Sequence, residues 1–211
     1  VSQSDREKWD QRYQEGAYAA RKHPSALLVE WLPKLAIEAS EPCAIDLASG
    51  IGRNSLYLAQ QGWRVTAVDI SGVALEKLAA AATDDHDIRC TEMDLETGQP
   101  WPTELTAAGP FDLALMIRYT NLPLIGRVLE ILRPGGYLLV EAHRVTEAVV
   151  AGPNGARFRV APGALRAAAA GYEIVEYREG IVDDPDGRPV DLARMLCRRP
   201  LVSQGPLTCY H

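Results

Sequence analysis

The chain has 211 residues, with 22 Lys+Arg against 28 Asp+Glu, a formal net charge of −6, 47% hydrophobic and 24% charged residues. That length suits one large domain with a full core, and the composition excludes global disorder. The acidic balance argues against a nucleic-acid partner, because duplex binding relies on a basic surface that neutralises phosphates.

Cys43, Cys90, Cys197 and Cys209 lie far apart with no C-x-x-C spacing, so the sequence suggests neither a disulfide framework nor a zinc site. Cys43 and Cys197 sit inside apolar runs and read as small core residues. No apolar stretch approaches about 18 residues, and the polar opening VSQSDREKWD is unlike a signal peptide. We therefore expect a cytoplasmic protein with no membrane partner and no metal. The start on Val rather than Met leaves room for residues ahead of it.

In chain order, Ser4 with Glu7 three residues on forms a capping-box pattern for a first helix. Pro24 opens a second, with Leu27, Leu28, Trp31, Leu32 and Leu35 at helical spacing. Residues 1–40 thus read as a helical cap on a core over 41–211, the whole being a single domain. The run 43–48 predicts a buried strand, turned by Gly50-Ile51-Gly52 into a helix over 54–59. A second strand follows over 64–69, a helix over 71–82 and a weak strand over 88–93. After a Gly/Pro-rich stretch at 98–110 come a strand over 111–117 and a helix over 122–132. Arg133-Pro134-Gly135-Gly136 then turns the chain into a strand over 137–142. The end reads as a short helix over 162–170 and a hairpin of strands 173–177 and 192–197. Alternating helices and continuous apolar strands point to a parallel sheet covered on both faces, with the hairpin making at least one terminal strand antiparallel.

The chemical signal is Asp46-Leu47-Ala48-Ser49-Gly50-Ile51-Gly52, strand into glycine turn into helix, with Asp69 ending the next strand 23 residues after Asp46. Such a turn lets a ligand approach the backbone, the helix start supplies free N–H donors, and an acid at the second strand's end can hydrogen-bond both hydroxyls of a ribose. Two cofactors compete. Gly50 to Ser55 nearly matches the dinucleotide G-x-G-x-x-G but lacks the third glycine. A carboxylate at Asp46 would repel a pyrophosphate, yet it suits the cationic amine of S-adenosylmethionine. The plain alternative is a glycine turn that merely packs a helix.

The stretch IDLASGIGRNSLYLAQQGWRVTAVDIS resembles the first two motifs of the class I S-adenosylmethionine-dependent methyltransferases, and most closely the TehB-like and thiopurine methyltransferase-like branch. Asp46, Gly50, Gly52, Arg53 and Asn54 match the branch's loop pattern, whereas Ala48 stands where many members have a first glycine. Met93-Asp94-Leu95, Phe111-Asp112-Leu113 and the Leu132–Leu139 segment resemble later motifs. Trp9-Asp10-Gln11-Arg12-Tyr13 with Gly16 resembles a lead-in that folds over the cofactor.

The resemblance implies a Rossmann-like α/β fold: a seven-stranded, mostly parallel sheet with an antiparallel terminal strand and helices on both faces. It implies methyl transfer from S-adenosylmethionine, giving S-adenosylhomocysteine, to a small acceptor such as a thiol, a selenium or tellurium oxyanion, or a heteroaromatic. Cofactor contacts are then expected from Trp9, Arg12 and Tyr13, from Asp46, Ala48, Gly50, Gly52, Arg53 and Asn54, from Asp69 and Ile70, and from Asp94, Leu95, Ile117 and Arg118. Arg118 and Tyr119 would face the transferred methyl group. His143 is the first candidate for a general base, needed only by an oxygen or nitrogen nucleophile. Tyr13 or Tyr18 could pack on the sulfonium or simply staple the helix to the core. Gly152 to Gly155 reads as a flap or a plain turn cluster. A monomer or homodimer is expected. The competing readings are a sensor or partner subunit that binds the cofactor without turnover, and an NAD-dependent oxidoreductase, which Asp46, Ser55 and the hairpin disfavour.

Overall fold

A computed structural model describes residues 3–201, so Cys209 and His211 lie outside the described residues. The elements, in chain order, are α1 (Gln3–Gln14), α2 (Ala26–Trp31), β1 (Cys43–Leu47), α3 (Arg53–Gln60), β2 (Arg64–Asp69), α4 (Gly72–Ala81) and β3 (Ile88–Glu92). These are followed by α5 (Thr103–Ala108), β4 (Phe111–Ile117), α6 (Leu122–Val128), β5 (Leu132–His143), α7 (Ala164–Ala168), β6 (Glu173–Asp183) and β7 (Pro189–Arg198). The strands form one seven-stranded sheet in the order β3-β2-β1-β4-β5-β7-β6. β1 to β5 pair in parallel, and β7 runs antiparallel to both β5 and β6. The strand order reverses between β1 and β4, the place where open α/β sheets bind ligands beyond their carboxyl ends.

The central strands β1 and β4 read as largely apolar runs because both sheet faces are buried there. Ile45, Leu47, Ala114, Met116, Leu138 and Val140 pack on one face against Leu105 of α5, Leu124, Ile125 and Val128 of α6, and Leu165 of α7. On the other face Ala44, Leu113, Leu115 and Leu139 meet Leu27 and Leu28 of α2 and Leu58 and Ala59 of α3. Ala67 packs on Leu75 and Leu78 of α4. Among the described residues no helix is long and apolar enough to cross a membrane, and no group of three or more His, Cys, Asp or Glu could hold a metal ion.

Several boundaries differ from expectation. Ser4 lies inside α1, whose first turn already includes Gln3, and Glu7 accepts a hydrogen bond from the Gln3 side chain at 3.1 Å. Ser25, not Pro24, caps the second helix, its Oγ accepting from the Leu27 N–H at 3.2 Å. That helix stops at Trp31 because Pro33 lacks an N–H and forces a 3-10 turn over Leu32–Lys34. The helix expected over 122–132 ends at Val128, and Leu132 already pairs with Phe111 in β5. Arg133 to Gly136 is therefore a bulge within β5, not a turn ahead of it: the register shifts between Phe111 and Leu113, and a β-carbon on Gly136 would stand 3.0 Å from the Phe111 carbonyl. α5 lies hidden in the Gly/Pro-rich stretch, and the hairpin strands run well beyond the expected 173–177 and 192–197.

Candidate active site

β1 ends at Leu47, and the chain turns through residues 48–52 into α3. Ala48 (φ 58°), Gly50 (57°) and Gly52 (76°) are all left-handed. For Ala48, which has a β-carbon, that conformation costs about 1–2 kcal/mol, so the surroundings hold it there. The loop is tied to the end of β2: the Gly50 N–H donates to Asp69 Oδ2 at 2.7 Å, and the Ser71 N–H to Oδ1 at 2.9 Å. Burial raises the pKa of Asp69 above the usual carboxylate range. Asn54 Oδ1 accepts from the Ser25 N–H at 2.8 Å and so ties α3 to the start of α2.

The N-terminal cap docks over this loop. Asp10 Oδ1 accepts from Ser71 Oγ at 2.6 Å, the Lys77 ammonium donates to the Tyr13 carbonyl, and Arg6 pairs with Glu92 at 3.0 Å. Tyr13 is buried above Gly50, where a β-carbon would lie 2.8 Å from its hydroxyl. Burial and then the Asp69 charge raise its pKa, so it stays a neutral phenol. The Arg12 guanidinium lies over the rings of Trp9 (4.9 Å) and Tyr18 (5.7 Å).

A cavity of about 730 Å³ opens between cap and sheet edge. Trp9, Arg12, Tyr13, Ala48, Gly50, Arg53 and Asn54 line it, as do Asp69, Ile70, Asp94, Leu95, Ile117, Arg118, Tyr119 and His143, together with residues 152–155. The structure thus brings most of the expected site residues together. Asp46 and Gly52 are outside this lining. Asp46 is buried beneath the loop, accepts from Ser55 Oγ at 2.7 Å and has its pKa pushed up to about 6 by burial. In this geometry its visible role is to hold α3 on β1. At Gly52 a β-carbon would stand 2.2 Å from Leu78 Cδ1, so that glycine lets the loop pack on α4. Sequence reasoning missed Ser49, whose buried Oγ lines the cavity without a hydrogen-bond partner.

The far half of the cavity is organised by Arg118, which follows β4 at φ 61°. Its Nε donates to Glu141 Oε1 at 2.5 Å and its Nη2 to Asp184 Oδ1 at 2.9 Å, while Nη1 lies 3.3 Å from His143 Nε2. A guanidinium only donates, so His143 Nε2 accepts and Nδ1 carries the proton. That Nδ1 is buried and unpartnered. Burial first, then the charges of Arg118, Arg159 and Arg21, lower the His143 pKa to about 3. The ring is neutral, and the nitrogen through which it would accept a proton faces the Arg118 guanidinium. A ring-selective NMR titration should show His143 neutral down to pH 5. Because its folded pKa lies below the unfolded value of about 6.5, its contribution to stability is complete above that pH and is lost as pH falls toward 3. An imidazole titrating near neutrality would refute this arrangement.

Tyr119 donates its hydroxyl to Glu96 Oε1 at 2.7 Å, and burial keeps it a phenol. Arg144 is engaged outside the cavity with Asp191 at 2.8 and 3.1 Å.

The unpartnered Ser49 hydroxyl, the bared loop backbone and the Asp69 carboxylate fit an adenosyl cofactor. Residues 44–136 match the model of a methyltransferase domain family. That segment runs from β1 into β5 and carries the glycine loop, Asp69 and Arg118. The chain is 30% identical over 181 residues to Hemagglutinin 1 of Eikenella corrodens, covering 78% of this chain and 57% of that protein. It is 33% identical over 82 residues to the thiopurine S-methyltransferase of Acinetobacter baylyi, covering 38% and 37% of the two. The chain thus spans little more than half the length of the first relative and about a third of the second. In fold it is similar to TehB from Haemophilus influenzae, with a TM-score of 0.65 at 24% identity over 87% of this chain and 66% of that one.

Proposed function

We propose that this protein transfers the methyl group of S-adenosylmethionine to a small acceptor with a soft nucleophile: a thiolate, a selenium or tellurium oxyanion, or a heteroaromatic. The observation that carries this reading is one cavity with two unlike halves, an adenosyl-suited half at Ser49 and Asp69 and an arginine-held half at Arg118. When bound, the cofactor supplies a sulfonium-activated methyl group open to in-line displacement.

The protein's part is placement and exclusion of water. Asp69 has lone pairs left for ribose hydroxyls after accepting from two backbone N–H groups. Tyr13 and Trp9 cover the loop side, and residues 152–155 also line the cavity. Arg118 presents a guanidinium fixed by two carboxylates. His143 Nε2 is occupied, and the Tyr119 phenol is committed to Glu96. With no available base at these three positions, the site favours nucleophiles that need no proton removed.

The test is to incubate the protein with S-adenosylmethionine and, separately, thiols, selenite, tellurite and heteroaromatic thiols, measuring S-adenosylhomocysteine release. Release with at least one soft acceptor and none with alcohols is expected. Silence across the panel from a protein that binds S-adenosylhomocysteine would overturn turnover in favour of a cofactor-binding subunit.

A further inference from the structure

We propose that Asp184 is a positioning residue that couples docking of the N-terminal cap to the orientation of Arg118, so that the acceptor half of the cavity is complete only when the cap is seated. This rests on the proposed function, in which Arg118 faces the acceptor.

Asp184 lies in the turn between β6 and β7, far from both arginines in sequence, with its side chain 7% exposed. One carboxylate oxygen, Oδ1, is 2.9 Å from Arg118 Nη2, and the other, Oδ2, is 2.9 Å from Arg21 Nη2. Arg21 belongs to the segment joining α1 to α2 and also reaches Asp186 Oδ2 at 3.3 Å. The turn closes without the Asp184 side chain: its N–H donates to the Arg188 carbonyl at 2.9 Å and its carbonyl accepts from the Gly187 N–H at 2.7 Å. The carboxylate is therefore free to serve the two arginines.

Two guanidiniums brought this close repel each other unless a carboxylate lies between them, and a buried carboxylate is costly unless it is well paired. Asp184 lies between the two guanidiniums, and each has one further carboxylate, Glu141 for Arg118 and Asp186 for Arg21. When the cap lifts, Arg21 leaves with it, and Asp184 becomes more exposed with one partner. Arg118, strained at positive φ, then loses part of what holds it. The cap also meets α4 and β3 through Asp10, Arg6 and the Tyr13 carbonyl, α3 through Ser25 and His23, Arg157 through Asp5, and β6 through Glu30. Arg21 links the cap directly to the side chain holding Arg118. Such coupling would favour seating the cofactor and cap before the acceptor.

The test compares wild type, Asp184→Asn, Arg21→Gln and Arg21→Lys, using S-adenosylhomocysteine as the probe. The readouts are calorimetric affinity and the NMR signal of the Arg118 Nε–H group. Arg21→Gln, although Arg21 does not touch Arg118, is expected to broaden or shift that signal as Asp184→Asn does. Arg21→Lys should restore it, and affinity in all variants should stay within threefold of wild type. An Arg118 signal unchanged in Arg21→Gln would overturn the coupling, and would do so even if Asp184→Asn failed to fold. Failure of wild type to bind S-adenosylhomocysteine would instead count against the methyltransferase reading, leaving the coupling to be judged by the NMR signal.

Discussion

Replacing Asp69 with alanine is expected to weaken S-adenosylhomocysteine binding by about ten- to a hundredfold. Each hydrogen bond to a buried carboxylate contributes about 1–3 kcal/mol, and tenfold in affinity corresponds to about 1.4 kcal/mol. Here the effect is compounded, because Asp69 also accepts from the Gly50 and Ser71 N–H groups, so the variant loosens the loop it would use to hold the ligand. Asp69→Asn, which keeps one acceptor oxygen, should be weakened less. Wild-type affinity in a folded Asp69→Ala protein would show that the ribose does not lie at the end of β2.

The second large effect is on folding. Gly52→Ala places a β-carbon 2.2 Å from Leu78 Cδ1, against a fully buried side chain packed between Ala67 and Leu75. Overpacking costs about 1–3 kcal/mol and the left-handed backbone about 1–2 kcal/mol more, so a denaturant titration should show a loss of about 2–5 kcal/mol. Gly62→Ala is the control: its φ is 81°, but nothing lies within 4 Å of the added carbon. It should lose only the conformational part. Equal losses at the two positions would mean that α4 yields freely and that Gly52 is needed for backbone reasons alone.

Strands bounded by sharp punctuation are legible in the sequence. β2 and β4 match their expected limits because Gly62 and Pro110 precede them closely and their interiors are apolar but for Thr66 and Asp112. α5 is not legible, because TELTAA is too short for a helical period and carries two β-branched threonines beside Pro102. The end of α6 is obscured since Leu129, Ile131 and Leu132 continue the apolar pattern after the helix has given way to a turn and then β5. Local signals also place the cofactor half, where Gly50, Gly52 and Asp69 sit within one β-α-β unit. The acceptor half depends on distant partners. Arg118 meets Glu141 across a strand pair and Asp184 from the far hairpin, separations of 23 and 66 residues that no local pattern announces. The same distance effect hides the altered character of His143, which is set first by burial and then by Arg118, Arg159 and Arg21.

We propose that the cavity at the carboxyl edge holds an adenosylmethionine-type cofactor. It is tested most directly by calorimetric titration of the purified protein with S-adenosylhomocysteine, with NAD as the control. Saturable micromolar binding of S-adenosylhomocysteine and none of NAD is expected. Binding of NAD alone, or of neither, would contradict it.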